Sequence, residues 1–429
     1  MKLDNIHEGQ ALRIAMGIMV LGLLLADGAG AATLTVNAIG GADYTKIQDA
    51  INNASDGDTI LVYSGTYYEQ VNVNKQLILQ GIDTGSGKPV VNADGIGSAI
   101  TLSAGNNRVE GFTAINGSDA GIYIISNNNS VRNNTANSNK NNGIYLYHSN
   151  DNSLSGNNAS NNNFYGIFLD TSLRNTLTGN IATSNVEGIN LGGNLPGGNS
   201  FDNMLVGNKV SNNNLGIHLV HHAQNNSLIG NNASNNAIGI DLENQCQENS
   251  IIYNNVSNNI DGISIDTSWN NTLSGNFVTE NNNGIILYSD DGGSNGNHIY
   301  NNYFKNTNNA IDENTGREVP SGVFYGNNTW NTTKITVTNI IGGSYLGGNF
   351  WANPSGTGFS QNCIDANGDG FCDLPYVLDA NHTDYLPLTD VTGRITPPLL
   401  PPPPVPELPT IVLMGTGMLG LLFVVKKKK

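Results

Sequence analysis

One short phrase recurs eight times between Gly121 and Leu287, as Gly-Ile-x-Leu or Gly-Ile-x-Ile. Its glycines are Gly121, Gly143, Gly166, Gly188, Gly216, Gly239, Gly262 and Gly284, spaced by 22, 23, 22, 28, 23, 23 and 22 residues. A fixed period of this length marks a solenoid, in which each unit buries its apolar side only by stacking on the next. Each period carries two further apolar pieces. One is Asn-x-Leu-x-Gly-Asn, as in Leu154-Ser155-Gly156-Asn157 and Leu273-Ser274-Gly275-Asn276. The other is a small or branched residue among asparagines: Ala136, Ala159, Ala182, Val210, Ala233, Val256 and Val278.

Apolar and polar residues alternate within these pieces, which is the strand period of two. The Asn, Ser, Asp and Gly between them are turn formers. No window of the repeats carries a 3.6-residue period, and Gly and Asn are poor helix formers. Three strands in 22–23 residues make one coil. Stacked coils sit about 4.8 Å apart, with like residues on like residues. Asparagines repeated at one turn can then hydrogen-bond up the stack, which accounts for their abundance.

These repeats resemble those of pectin-lyase-like parallel β-helix proteins, nearest the NosD-like group. That group is named for a factor in nitrous-oxide reductase maturation and contains carbohydrate-binding and sugar-hydrolase repeats. The likeness runs over roughly residues 40–390. It implies an all-β, right-handed, single-stranded parallel β-helix with an N-terminal capping helix. Asp43–Ser55 suits that helix, with Ile47, Ala50, Ile51 and Ala54 on one face. The fold hosts many activities, so function has to be read from the site.

The ends differ from the repeats. Residues 1–32 read as a secretory signal: Lys2 and Arg13 precede the apolar run Ile14–Leu25, and Ala29-Gly30-Ala31-Ala32 offers a cleavage site. The β-helix with its cap is expected over 33–320, and C-terminal coils with a calcium-like loop over 321–392. A proline-rich spacer follows at 393–409, then an apolar anchor and basic tail at 410–429. The order of spacer, apolar run and Lys426–Lys429 resembles archaeal sortase-type sorting signals, with Leu408 in Pro406-Glu407-Leu408 where Phe is usual. Export and anchoring at the cell surface are the expectation. The formal net charge of −16 provides no basic stripe and argues against a nucleic-acid partner.

In the Gly-Ile-x-Leu strand, x and the residue after Leu should face outward. Longer periods after Gly188 and Gly284 place loops at Gly192–Asn203 and Ser289–Asn297 on one edge. Between them the outward columns hold Asp241, Glu243 and Asp266, candidate acids for glycoside cleavage or a cation. Upstream, Tyr145, Tyr147 and Phe168 form a candidate platform for sugar rings. The expectation is a carbohydrate-binding or structural protein of the cell envelope with a glycan as partner; glycoside hydrolysis of a polysaccharide is the alternative, and copper binding in metalloenzyme maturation the second. Lyases of this fold pair calcium-binding acids with a basic residue. Arg132, Lys140, Arg174 and Lys209, the basic residues of the regular repeats, do not fall near Asp241. The NosD resemblance raises copper at His148, His218, His221 and His222. With no Met or Cys beside them as a soft ligand, they read as surface imidazoles instead.

Near the C-terminus, Asp365-Ala366-Asn367-Gly368-Asp369-Gly370-Phe371-Cys372-Asp373 has calcium-loop spacing. Oxygens of Asp365, Asn367, Asp369 and Asp373 and the Phe371 carbonyl would hold Ca²⁺. Cys363 and Cys372 flank the loop and suit a disulfide in an exported protein, which leaves Cys246 over.

Overall fold

The computed structural model describes residues 31–193, 199–288, 293–313, 327–379 and 382–390. Within them the chain winds as a parallel β-solenoid of about twelve coils. The first sheet has 12 strands, the second 11, and the third is split into pieces of four and seven. The third breaks at Asn158, which makes only isolated bridges to Thr135 and Ile181. A separate antiparallel pair, Tyr376–Val377 with Thr383–Asp384, lies near the C-terminus.

Every coil contributes one inward apolar residue or pair per strand. In the second sheet Ile144, Ile167, Ile189, Ile217, Ile240 and Ile263 pair in register from coil to coil. All are buried with Leu154, Leu177, Leu205 and Leu228 of the first sheet and Ala159, Ala182, Val210 and Ala233 of the third. The glycine before each isoleucine is a matter of room. A Cβ on Gly166 would stand 2.4 Å from the Gly188 carbonyl oxygen and 2.9 Å from that of Ala159.

The corners are held by asparagine ladders. Asn157, Asn180, Asn208, Asn231 and Asn254 form one of them. Asn208 shows the unit: its backbone N–H and its Nδ2 both donate to Asn231 Oδ1, at 2.9 and 2.9 Å. Its Nδ2 also donates to the Leu177 carbonyl at 3.0 Å. Parallel ladders run through Asn152, Asn175 and Asn203 and through Asn162, Asn185 and Asn213. The side chains are buried, yet every amide is used, so the polar interior costs little.

The helix Ile47–Asn53 packs on the first strands of the first and second sheets and buries Ile47, Ala50 and Ile51. Its first turn donates Ile47 and Gln48 N–H to the Glu69 carboxylate, at 2.8 and 3.0 Å. Lys75 Nζ bonds the carbonyls of Ile51, Asn52 and Ala54 at its other end, matching charge to both helix termini. At the far end Phe304, Trp351 and Tyr376 stack at 4.9 and 4.6 Å, continuing the core into residues 327–390. Cys363 and Cys372 are disulfide-bonded there. Residues 1–30 of the expected signal, the spacer and the anchor lie outside the described residues. Among the described residues, no helix is long and apolar enough to cross a membrane.

Candidate functional site

The outer face of the second sheet brings the candidate residues together. One column runs in register through Tyr123, Tyr145, Phe168, Asn190, His218, Asp241, Ser264 and Ile286. Solvation was expected here, but Phe168, Asn190, His218, Asp241 and Ser264 are all buried. At coil spacing each side chain is covered by its neighbours above and below. Flanking columns wall the strip, with Tyr165 and Glu187 on one side and Asp170, Val220 and Glu243 on the other.

The upstream half is aromatic. Tyr123 and Tyr145 stack at 5.0 Å, and Tyr145 and Phe168 at 5.1 Å with planes 3° apart. Tyr165 takes the remaining side of Phe168 at 4.4 Å. Phe168 is therefore not a ring for sugar stacking, because both of its faces are occupied and it is only 2% exposed. Tyr145 is likewise sandwiched and presents its edge. Its hydroxyl donates to Asp170 Oδ2 at 3.0 Å, and burial together with that carboxylate raises its pKa well above the ordinary phenol value. Of the three proposed rings only Tyr147 stays open, 39% exposed, with an edge contact to His148 at 4.2 Å.

The downstream half is charged. His218 is not a surface imidazole: it is 6% exposed and sits among carboxylates. Its Nδ1 lies 2.9 Å from Glu187 Oε2. Its Nε2 lies 3.4 Å from Glu243 Oε2 and 3.9 Å from Asp241 Oδ2, and makes no hydrogen bond. One ligand atom each from His218, Asp241 and Glu243 falls within 4.8 Å of the others, the one such metal-capable group among the described residues. Burial alone would lower the His218 pKa, but Glu187, Glu243 and Asp241 carry it up to about 10. Burial raises Asp241 to about 6 against the pull of His218, while His218 beside it lowers Glu243. Asp266 stands outside this group and accepts from Thr267 Oγ1 at 2.8 Å.

Glu187 was missed in the sequence because it precedes the repeat glycine. That position, occupied by Tyr165, Glu187, Leu215 and Ile238, forms a third outward column. His221 turns to the Gly193 carbonyl at 2.9 Å. The middles of the two long loops, 194–198 and 289–292, lie outside the described residues.

The 365–373 loop is organised around backbone donors. Asp365 accepts from the N–H of Gly368, Asp369 and Gly370, at 2.8, 3.1 and 2.8 Å. Asn367 Oδ1 accepts from Asp369 N–H, Asp369 from Phe371 N–H, and Asp373 from Ala366 N–H. Lys334 Nζ pairs with Asp369 Oδ2 at 2.9 Å and supplies a positive charge at the loop. Phe371 itself is buried against Leu388 and Phe350.

A family model described as "Periplasmic copper-binding protein (NosD)" matches residues 51–231 and 198–356. A cell surface glycoprotein of Methanothermus fervidus is 42% identical over 84 residues, which are 19% of this chain and 13% of that protein. The mannuronan C-5 epimerase AlgE4 A-module of Azotobacter vinelandii superposes with a TM-score of 0.52 at 16% identity, covering 64% of this chain and 94% of that one. A complex of XylC with xylose gives 0.51 at 11%, covering 67% and 76%. At these identities the two structures speak for the fold alone.

Proposed function

The NosD model spans well over half of the chain, so the protein belongs to that family, and from this premise we propose an exported cell-surface β-solenoid whose second-sheet face binds glycan. One observation carries the reading. A single outward strip leads from the open Tyr147 ring, past the edges of stacked phenols, to a buried charged cluster two coils beyond Phe168. Tyr147 offers an apolar face for a sugar ring, and the phenols and Glu243 offer hydroxyl and carboxylate partners. The glycoprotein likeness and the apolar C-terminal run support a surface location.

Binding is favoured over hydrolysis because Asp241, one of the two neighbouring acids, is closed off from a scissile bond. Asp241 and Glu243 approach each other within 4.8 Å, and Asp241 is 6% exposed. That spacing is short of the roughly 6.5–9.5 Å of an inverting pair and near the roughly 5–5.5 Å of a retaining one, so it is burial that argues against cleavage. Copper(I), which the family description brings to mind, does not fit these residues. It favours thiolate and thioether ligands. Here one imidazole faces carboxylates, while Cys246 is buried in the core with its Sγ donating to the Glu243 carbonyl at 3.2 Å.

The test is gel retardation of the purified protein through a panel of neutral and uronic polysaccharides. Retention by at least one polysaccharide, weakened by Tyr147→Ala, is the expected result. Migration unaffected by every polysaccharide would remove the glycan reading.

A further inference from the structure

We propose that His218, Asp241 and Glu243 hold a divalent cation of the zinc class, with Glu187 as the residue that orients His218. The tautomer leads there. His218 Nδ1 lies 2.9 Å from Glu187 Oε2 and 3.1 Å from Asn190 Nδ2; the carboxylate is the closer partner, is charged and only accepts, so Nδ1 carries the proton. Asn190 Nδ2 donates to the same oxygen at 2.6 Å and fixes the carboxylate in turn. The carboxylate–imidazole pair that results is the arrangement that orients metal-bound histidines.

The opposite nitrogen, Nε2, is buried, has no hydrogen bond, and points between two carboxylates. A bare lone pair facing two anions is repulsive, so a cation belongs in the gap. Two candidates exist, a proton on Nε2 or a metal ion, and the distances separate them. A charge-assisted N–H···O⁻ bond closes to about 2.7–2.9 Å. The observed separations are 3.4 Å to Glu243 and 3.9 Å to Asp241. Around a tetrahedral ion with bonds of about 2.1 Å, neighbouring ligand atoms stand about 3.4 Å apart. The gap has the size of an ion rather than of a hydrogen bond.

The donor set names the class. One imidazole and two carboxylates suit zinc or a similar borderline divalent ion. Calcium would need six to eight oxygens. Three protein ligands, one of them Glu243 with a 41% exposed side chain, leave a fourth position toward solvent. The inference rests on these residues and stands whether or not the face binds glycan.

The experiment strips the purified protein with chelator and dialyses it against Zn²⁺, with bound metal read by elemental analysis. Co²⁺ is then added as a spectroscopic probe. The expected result is about one equivalent of Zn²⁺ and visible Co²⁺ bands of tetrahedral intensity, both lost in Glu243→Gln and His218→Ala. Glu187→Gln should keep the stoichiometry but bind roughly 10- to 100-fold more weakly. Glu243 is partly exposed, so Glu243→Gln serves as the folded control should His218→Ala unfold. Absence of stoichiometric Zn²⁺, or binding unchanged in Glu243→Gln, would leave a proton as the occupant and overturn the site. Copper(I) held more tightly than Zn²⁺ and lost in His218→Ala would overturn the ligand class.

Discussion

Two halves of one column differ in everything except backbone. From Tyr123 to Phe168 the positions are filled by rings that stack face to face. From Asn190 to Asp241 the equivalent positions, on the next strands of the same sheet and one coil apart, hold an amide, an imidazole and a carboxylate. The aromatic half is satisfied by itself, since each ring is the next ring's partner. The charged half is not, because His218 Nε2 and Asn190 Oδ1 are buried without hydrogen-bond partners. A solenoid thus separates scaffold from site: ladders and core repeat without variation, and the outward column can be packed or left wanting a ligand.

The largest expected effect is on what both halves share. Asn208→Ala removes the Nδ2 that donates to Asn231 Oδ1 and to the Leu177 carbonyl, and the Oδ1 that accepts from Asn180 N–H and Nδ2. Urea unfolding should show a loss of roughly 3 kcal/mol or more. A loss below about 1 kcal/mol would mean the ladders are incidental.

The contrast itself is sharpened by one substitution in each half. Phe168→Ala should cost about 3 kcal/mol, since a fully stacked ring is removed. Asp241→Asn should cost less, because relief of the desolvation of a buried carboxylate offsets the lost attraction to His218. Equal losses would erase the distinction.

Only the charged half should respond to pH. In protein freed of divalent ions, His218 has a folded pKa of about 10, above its usual 6.5. Such a raised value stabilises fully below pH 6.5, and the contribution fades as pH climbs through 10. His218→Gln should therefore lose stability, on the order of a few kcal/mol, at pH 6 and match the wild type above pH 10. Parallel melting profiles across that range would contradict the charged account.

Smaller effects follow. Tyr147→Ala should weaken polysaccharide retention roughly 5-fold without moving the melting temperature, whereas Phe168→Ala should do the reverse. Last, calcium at the 365–373 loop should raise the melting temperature by about 3 °C, a response lost in Asp369→Ala. An identical melt with and without chelator would remove the ion from that loop.

The scaffold was legible in the sequence because its physics is periodic. The Gly-Ile-x-Leu phrase, the small residues of the third strand and the asparagines each repeat at the coil length, and each lands in a continuous column. The site was half legible. Asp241 and Glu243 stand on the outward face, but the strand period says only which way a side chain points, not whether its neighbours cover it. In-register stacking buries Phe168 and His218, so one lost its role as a platform and the other gained partners. Glu187 was hidden because it sits one residue before the glycine that defines the repeat. Comparing the residues before successive glycines (Tyr165, Glu187, Leu215, Ile238, Asp261) would have shown an acid one coil from His218.

The most direct test of the central claim is hydroxyl-radical footprinting of the protein with and without a polysaccharide that retards it. Protection is expected at Tyr147 and Tyr165, along the second sheet, and not at Tyr253, in the turn that follows the first-sheet strand Ser250–Ile252. Protection confined to the first or third sheet would contradict the claim.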